Sequence, residues 1–88
     1  MDFSSALIKV KEGKKVTRSG WNGANQFVFK AGGYEVEEAL PGSLYEKADI
    51  VGQFYIAPHL VLKNAQGIVQ PGWVPSQGDL FADDWEVL

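Results

Sequence analysis

The chain has no cysteine, so it carries no disulfide staple, no thiolate nucleophile and no thiolate ligand for zinc or an iron–sulfur cluster. Its one histidine, His59, leaves a histidine-built metal site without a second ligand. No apolar run approaches the ~20 residues that a membrane-spanning helix needs. Asp2 sits where a signal peptide would be cationic, and no apolar h-region follows it. Walker and G-x-G-x-x-G loops are also missing. These absences predict a soluble cytoplasmic module that is not an enzyme, with no metal and no cofactor.

What is present is ordinary globular material: 45% hydrophobic and 22% charged residues in a chain of 88. That length predicts a single domain over 1–88. A chain this short buries only about 60–65% of the surface its unfolded form exposes, so self-association would add useful burial.

The net charge of −3 is unevenly distributed. Residues 1–30 hold six basic and two acidic side chains, whereas residues 31–88 hold two basic and nine acidic ones. An acidic chain is poorly suited to long nucleic acid, whose affinity comes mainly from neutralised phosphates. The basic third is open to two readings: head-to-tail complementarity within or between subunits, or a site for a small anion.

Hydrophobic spacing predicts an α+β fold. Asp2 is a good N-cap, and Phe3, Leu7 and Val10 recur at i, i+4 and i+7, giving an amphipathic helix from about 3 to 12 closed by Gly13. Strands are expected at Val16 to Arg18, Gln26 to Lys30, Gly52 to Ala57, His59 to Lys63, Ile68 to Trp73 and Asp84 to Leu88. Turns fall at the Asn22-Gly23 dipeptide, Gly32-Gly33 and Asn64 to Gly67. The stretch from Tyr34 to Gly52 has no clear period and reads as a long loop with fragments of strand. Ser76 with Asp79 three residues on is a variant capping box opening a one-turn helix. The expected architecture is the first helix packed on an antiparallel sheet of four to six strands.

Catalytic groupings fail on inspection. His59 lies in the apolar run Ile56 to Leu62, where a lone histidine is a core or interface residue rather than a base. Asp83 and Asp84 are adjacent in a strand and point to opposite faces, a poor acid–base dyad.

The aromatic residues say more. Trp21 and Trp73 both lie beside glycine-marked turns, where an indole either stacks on a purine or plugs the small core. Trp85, in the last strand, is assigned to the core. Asn22, Gln26, Ser76, Gln77 and Asp79 read either as groups for base edges and ribose hydroxyls or as caps and turns.

The combination of Gly20-Trp21-Asn22-Gly23 with Ser76-Gln77-Gly78-Asp79 and Asp83-Asp84-Trp85 resembles the Thoeris anti-defence 2 family of small phage proteins. The resemblance runs through most of the chain, from Phe3 to Trp85, and is weakest over 31–52. It implies a sponge that sequesters a cyclic ADP-ribose signal without degrading it, and a homotetramer with pockets at subunit interfaces. Some members of the family also take up cyclic oligonucleotides. The ligand-binding set expected on this basis is Arg18, Trp21, Asn22, Gln26, Phe27, Trp73, Ser76, Gln77 and Asp79. Arg18 and the backbone N–H groups opening the Ser76 helix would meet phosphate, and Asp79 would face ribose hydroxyls or remain a cap.

Overall fold

In the computed structural model, which describes residues 1–88, the Asp2 carboxylate accepts a hydrogen bond from the Ser5 N–H at 2.8 Å and opens helix α1, Phe3–Lys11. The helix ends in a Schellman turn. Gly13, at φ +92°, donates to Val10 O at 2.9 Å, and Lys14 donates to Lys9 O at 3.1 Å. Ala6 and Val10 form its buried face.

That face lies on a five-stranded antiparallel sheet built from β1 (Val16–Arg18), β2 (Phe27–Ala31), β5 (His59–Lys63), β6 (Val69–Pro71) and β7 (Trp85–Val87). The order across it is β6-β5-β2-β1-β7. Val16 faces Val28 across β1 and β2, and Val28 faces Leu62 across β2 and β5. These three side chains join Ala6, Val10 and Trp85 in one small core, with Phe3, Trp21, Leu60 and Trp73 packed around it. The β7 strand is held at both ends: Trp85 N–H donates to Met1 O, and Leu88 N–H donates to Lys15 O, each at 3.0 Å.

The expected fold class holds, and one region differs from its expectation. Residues of the aperiodic stretch form β3 (Tyr34–Val36), which pairs with β4 (Phe54–Ile56) in a two-stranded ribbon. Between them a helical turn, α2 (Leu44–Lys47), is capped by Ser43. Too little apolar patterning marks these strands because the ribbon is largely exposed on both faces: Tyr34 and Tyr55 are each 55% accessible. The ribbon continues the β2–β5 pair outward, since Ala31↔His59 is followed by Tyr34↔Ile56. Finally, Ser76 caps the short helix α3, Gln77–Leu80, through a complete capping box with Asp79.

Candidate functional site

Side-chain alternation on β1 sends Val16 and Arg18 to the α1 face of the sheet and Thr17 to the other. Arg18 therefore reaches the α3–β7 segment. Its Nε donates to Asp84 Oδ1 at 2.8 Å and its Nη1 to Asp79 Oδ1 at 2.7 Å. The same Asp79 oxygen accepts the Trp21 indole N–H at 3.0 Å, while Oδ2 accepts the Ser76 backbone N–H at 3.1 Å. Asp79 also donates its own N–H to Ser76 Oγ and accepts the Trp85 indole N–H on its carbonyl, at 3.1 and 2.9 Å. One residue thus joins β1, α3, β7 and the Trp21 loop.

The hub is largely dry, with 19% of the Arg18 side chain and 11% of the Asp79 side chain accessible. Burial alone would raise the Asp79 carboxyl, but hydrogen bonds from Trp21, Arg18 and Ser76 outweigh it and hold the group below its ordinary value. Asp84 is held low chiefly by the Arg18 hydrogen bond, with help from the Gly20 N–H that meets its Oδ2 at 2.8 Å. A Cβ at Gly20 would lie 2.6 Å from that oxygen, so a larger residue there would push the Asp84 carboxylate aside.

The three tryptophans stack edge to face beside this hub. Trp21 lies 5.2 Å from Trp85 and 6.2 Å from Trp73, ring centroid to centroid. Trp85 is buried, as expected, and meets Phe3 on another side at 5.5 Å. Trp21 and Trp73 are half-buried, each with part of its ring on the core and part accessible.

The expected ligand set is therefore divided. Arg18, Trp21, Trp73, Ser76 and Asp79 come together in one network. Asn22 and Gln77 are exposed beside it in sequence. Gln26 and Phe27 are not part of it. They line a pocket with Lys15, Thr17 and Lys63, on the face that Thr17 shares.

Two of the expected ligand groups already have partners within the fold. The Arg18 guanidinium is already matched by two carboxylates, so the cluster as a whole is not cationic. At the start of α3 the Asp79 N–H is taken by Ser76 Oγ. Sequence reasoning missed the pairing of Asp84 with Arg18, and it missed Lys15 and Lys63. The basic N-terminal third pointed towards Lys15, but only the Phe27↔Lys63 register brings Lys63 to the same place.

A helix-backed antiparallel sheet, locked at one end by a tryptophan–carboxylate–guanidinium cluster, defines a small α+β fold. The sequence model of the Thoeris anti-defense 2-like domain matches residues 1–88, and the chain belongs to that family. A relative, Thoeris anti-defense 2 of Bacillus phage SP01, is 33% identical over 89 residues, covering 100% of this chain and 94% of the phage protein. Family membership supports an anti-Thoeris role.

Proposed function

We propose that this chain is a sponge for a Thoeris immune signal. It binds a cyclic ADP-ribose-type nucleotide, glycocyclic ADP-ribose, in the host cytoplasm and withholds it from its receptor without degrading it. The family supports the anti-Thoeris part of this reading. The Trp21–Trp73 pair carries the ligand part. Each ring is fixed on one side by the core, and Trp21 is further fixed by its hydrogen bond to Asp79. A ring held before the ligand arrives loses little rotamer entropy on binding. Stacking of a base on such a face is worth ~1–3 kcal/mol.

In this reading Trp21 and Trp73 stack on the purine, and Asn22 and Gln77 meet ribose hydroxyls. Arg18, Ser76 and Asp79 act behind them by positioning Trp21. Gln26 and Phe27 contact ligand only where a second protomer completes the pocket, as in a homotetramer with sites at subunit interfaces.

The test is release of the ligand. Protein incubated with glycocyclic ADP-ribose, freed of excess and then heat-denatured, should yield the nucleotide at unchanged mass. A conversion product, or no retained nucleotide, would overturn the reading. Retention of a cyclic oligonucleotide in its place would select that alternative signal.

A further inference from the structure

We propose that the sheet face opposite α1 carries an anion pocket, centred on Lys15, Lys63 and Phe27, that binds a compact phosphate-bearing molecule. Within one protomer it lies apart from the tryptophan cluster; it shares Gln26 and Phe27 with the sponge site proposed above only through a second protomer, and its test does not require that reading.

Two cations meet at this face. Lys15 Nζ lies 4.7 Å and Lys63 Nζ 5.5 Å from the centroid of the one Phe27 ring. Gathering two ammonium groups on one ring is electrostatically unfavourable unless something offsets it. The ring's quadrupole offsets part, by roughly 0.5–1 kcal/mol per cation at an exposed site. No carboxylate lies within 4.0 Å of either ammonium. The ion pairs of the chain are Lys9–Glu12, Arg18–Asp79 and Arg18–Asp84, and none includes Lys15 or Lys63. Glu86, which register places opposite Thr17, does not pair with either lysine.

The pocket is also built. Lys63 sits opposite Phe27 across the β2–β5 pairing, and its ammonium donates to Asn25 O at 3.4 Å. Thr17 Oγ1 donates to Gln26 O at 2.7 Å, tying the loop before β2 to β1. Asn25, at φ +63°, turns the chain so that the Asn25 and Gln26 amides join the rim. The half-open cleft holds about 240 Å³ and is lined by two cations, two amides, a hydroxyl, the Phe27 ring and Leu88. That is below the roughly 300–1,000 Å³ of pockets that enclose drug-sized ligands. It suits a phosphate or diphosphate group, with any attached sugar or base outside. Two ammonium donors and neutral amides match the several acceptor oxygens of such a group.

The probe is sodium pyrophosphate, titrated into the intact isotope-labelled protein at constant low ionic strength and followed by amide ¹H–¹⁵N spectra. Saturable shifts should centre on Lys15, Thr17, Gln26 and Lys63. The charge-free Lys15→Met/Lys63→Met variant keeps the aliphatic stems and should bind at least about tenfold more weakly, with its melting temperature recorded as a fold control. Lys15→Arg/Lys63→Arg should retain most of the affinity. ADP should bind at least as well as pyrophosphate, and adenosine should not bind at this face. Shifts reproduced by sodium chloride, shifts centred on Arg18 and Trp21, unchanged affinity in the methionine variant, or adenosine binding as tightly as ADP would each overturn the proposal.

Discussion

Asp79 carries more of this protein's connectivity than its length suggests. Its carboxylate, N–H and carbonyl together take part in five hydrogen bonds to Arg18, Trp21, Ser76 and Trp85. Removing it leaves the Arg18 Nη1 and the Trp21 indole N–H without their acceptor, the kind of loss that costs more than the contact itself contributes. Asp79→Ala should therefore destabilise by ~3 kcal/mol, at the low end for a broken buried pair because Arg18 keeps Asp84. Chemical denaturation measures it, and a change below ~1 kcal/mol would contradict the hub assignment.

The same residues set the acid response. Asp79 and Asp84 have lowered pKa values in the fold, so between the unfolded value of about 3.9 and their folded values the unfolded chain binds more protons. Their stabilisation is complete above that range and is lost as pH falls through it. Stability should thus be flat from pH 7 to 5 and decline below about pH 4, and the decline should be shallower in Asp84→Asn. The tryptophans separate by role. Trp85→Ala removes a buried ring and should cost ~3–5 kcal/mol of stability. Trp73→Ala, tested only after its fold and assembly are verified, should weaken signal binding by ~1–3 kcal/mol, about five- to 150-fold.

Among the elements, the join between the five-stranded sheet and the ribbon is the most exacting. Gly32 sits there at φ +77°, where a Cβ would lie 2.3 Å from Ala57 O. Backbone cannot yield as a flexible side chain can, so Gly32→Ala should cost more than ~2 kcal/mol and lower the melting temperature by about 8–16 °C. Gly13 provides the comparison. Its φ of +92° is equally left-handed, but nothing lies within 4 Å of its Cβ position, so Gly13→Ala should cost only ~1–2 kcal/mol. Calorimetry of the two variants separates backbone collision from backbone strain; equal losses would show that the Ala57 contact is unimportant.

At the scale of the whole molecule, the chain exposes more surface than its mass requires. Its accessible area is 5939 Å², against about 5,100 Å² expected for a monomer of 9.7 kDa. Its radius of gyration is 15.4 Å, against about 12 Å for a compact chain of this length. The principal extents, 43 × 26 × 22 Å, describe an elongated body. On the segment around the ribbon, Leu40, Leu44 and Val51 are 74%, 79% and 91% accessible. Burial of such residues between subunits accords with the tetramer proposed above. Light scattering at micromolar concentration should give a tetrameric mass for the parent protein and a smaller one for Leu44→Glu/Val51→Glu. A monomeric parent would refute the assembly.

What the sequence determined by itself was local. Asp2, Gly13, Ser76 and Asp79 act through neighbours within a few residues, so helix starts and stops could be read directly. Alternation and turn residues located the strands of the main sheet, and the burial of Trp85 followed from its place in a closing strand. The tertiary structure decided what depends on distant partners. Arg18 meets Asp84 across 66 positions, an ion pair that no local pattern announces. Of the ribbon, β4 was expected as part of the Gly52 to Ala57 strand, but its partner β3 and their pairing were not, because Tyr34 and Glu35 are exposed and β3 leaves no period in the hydrophobicity. Lys63 joins Lys15 only through the β2–β5 register, and register depends on long-range packing that no local pattern encodes.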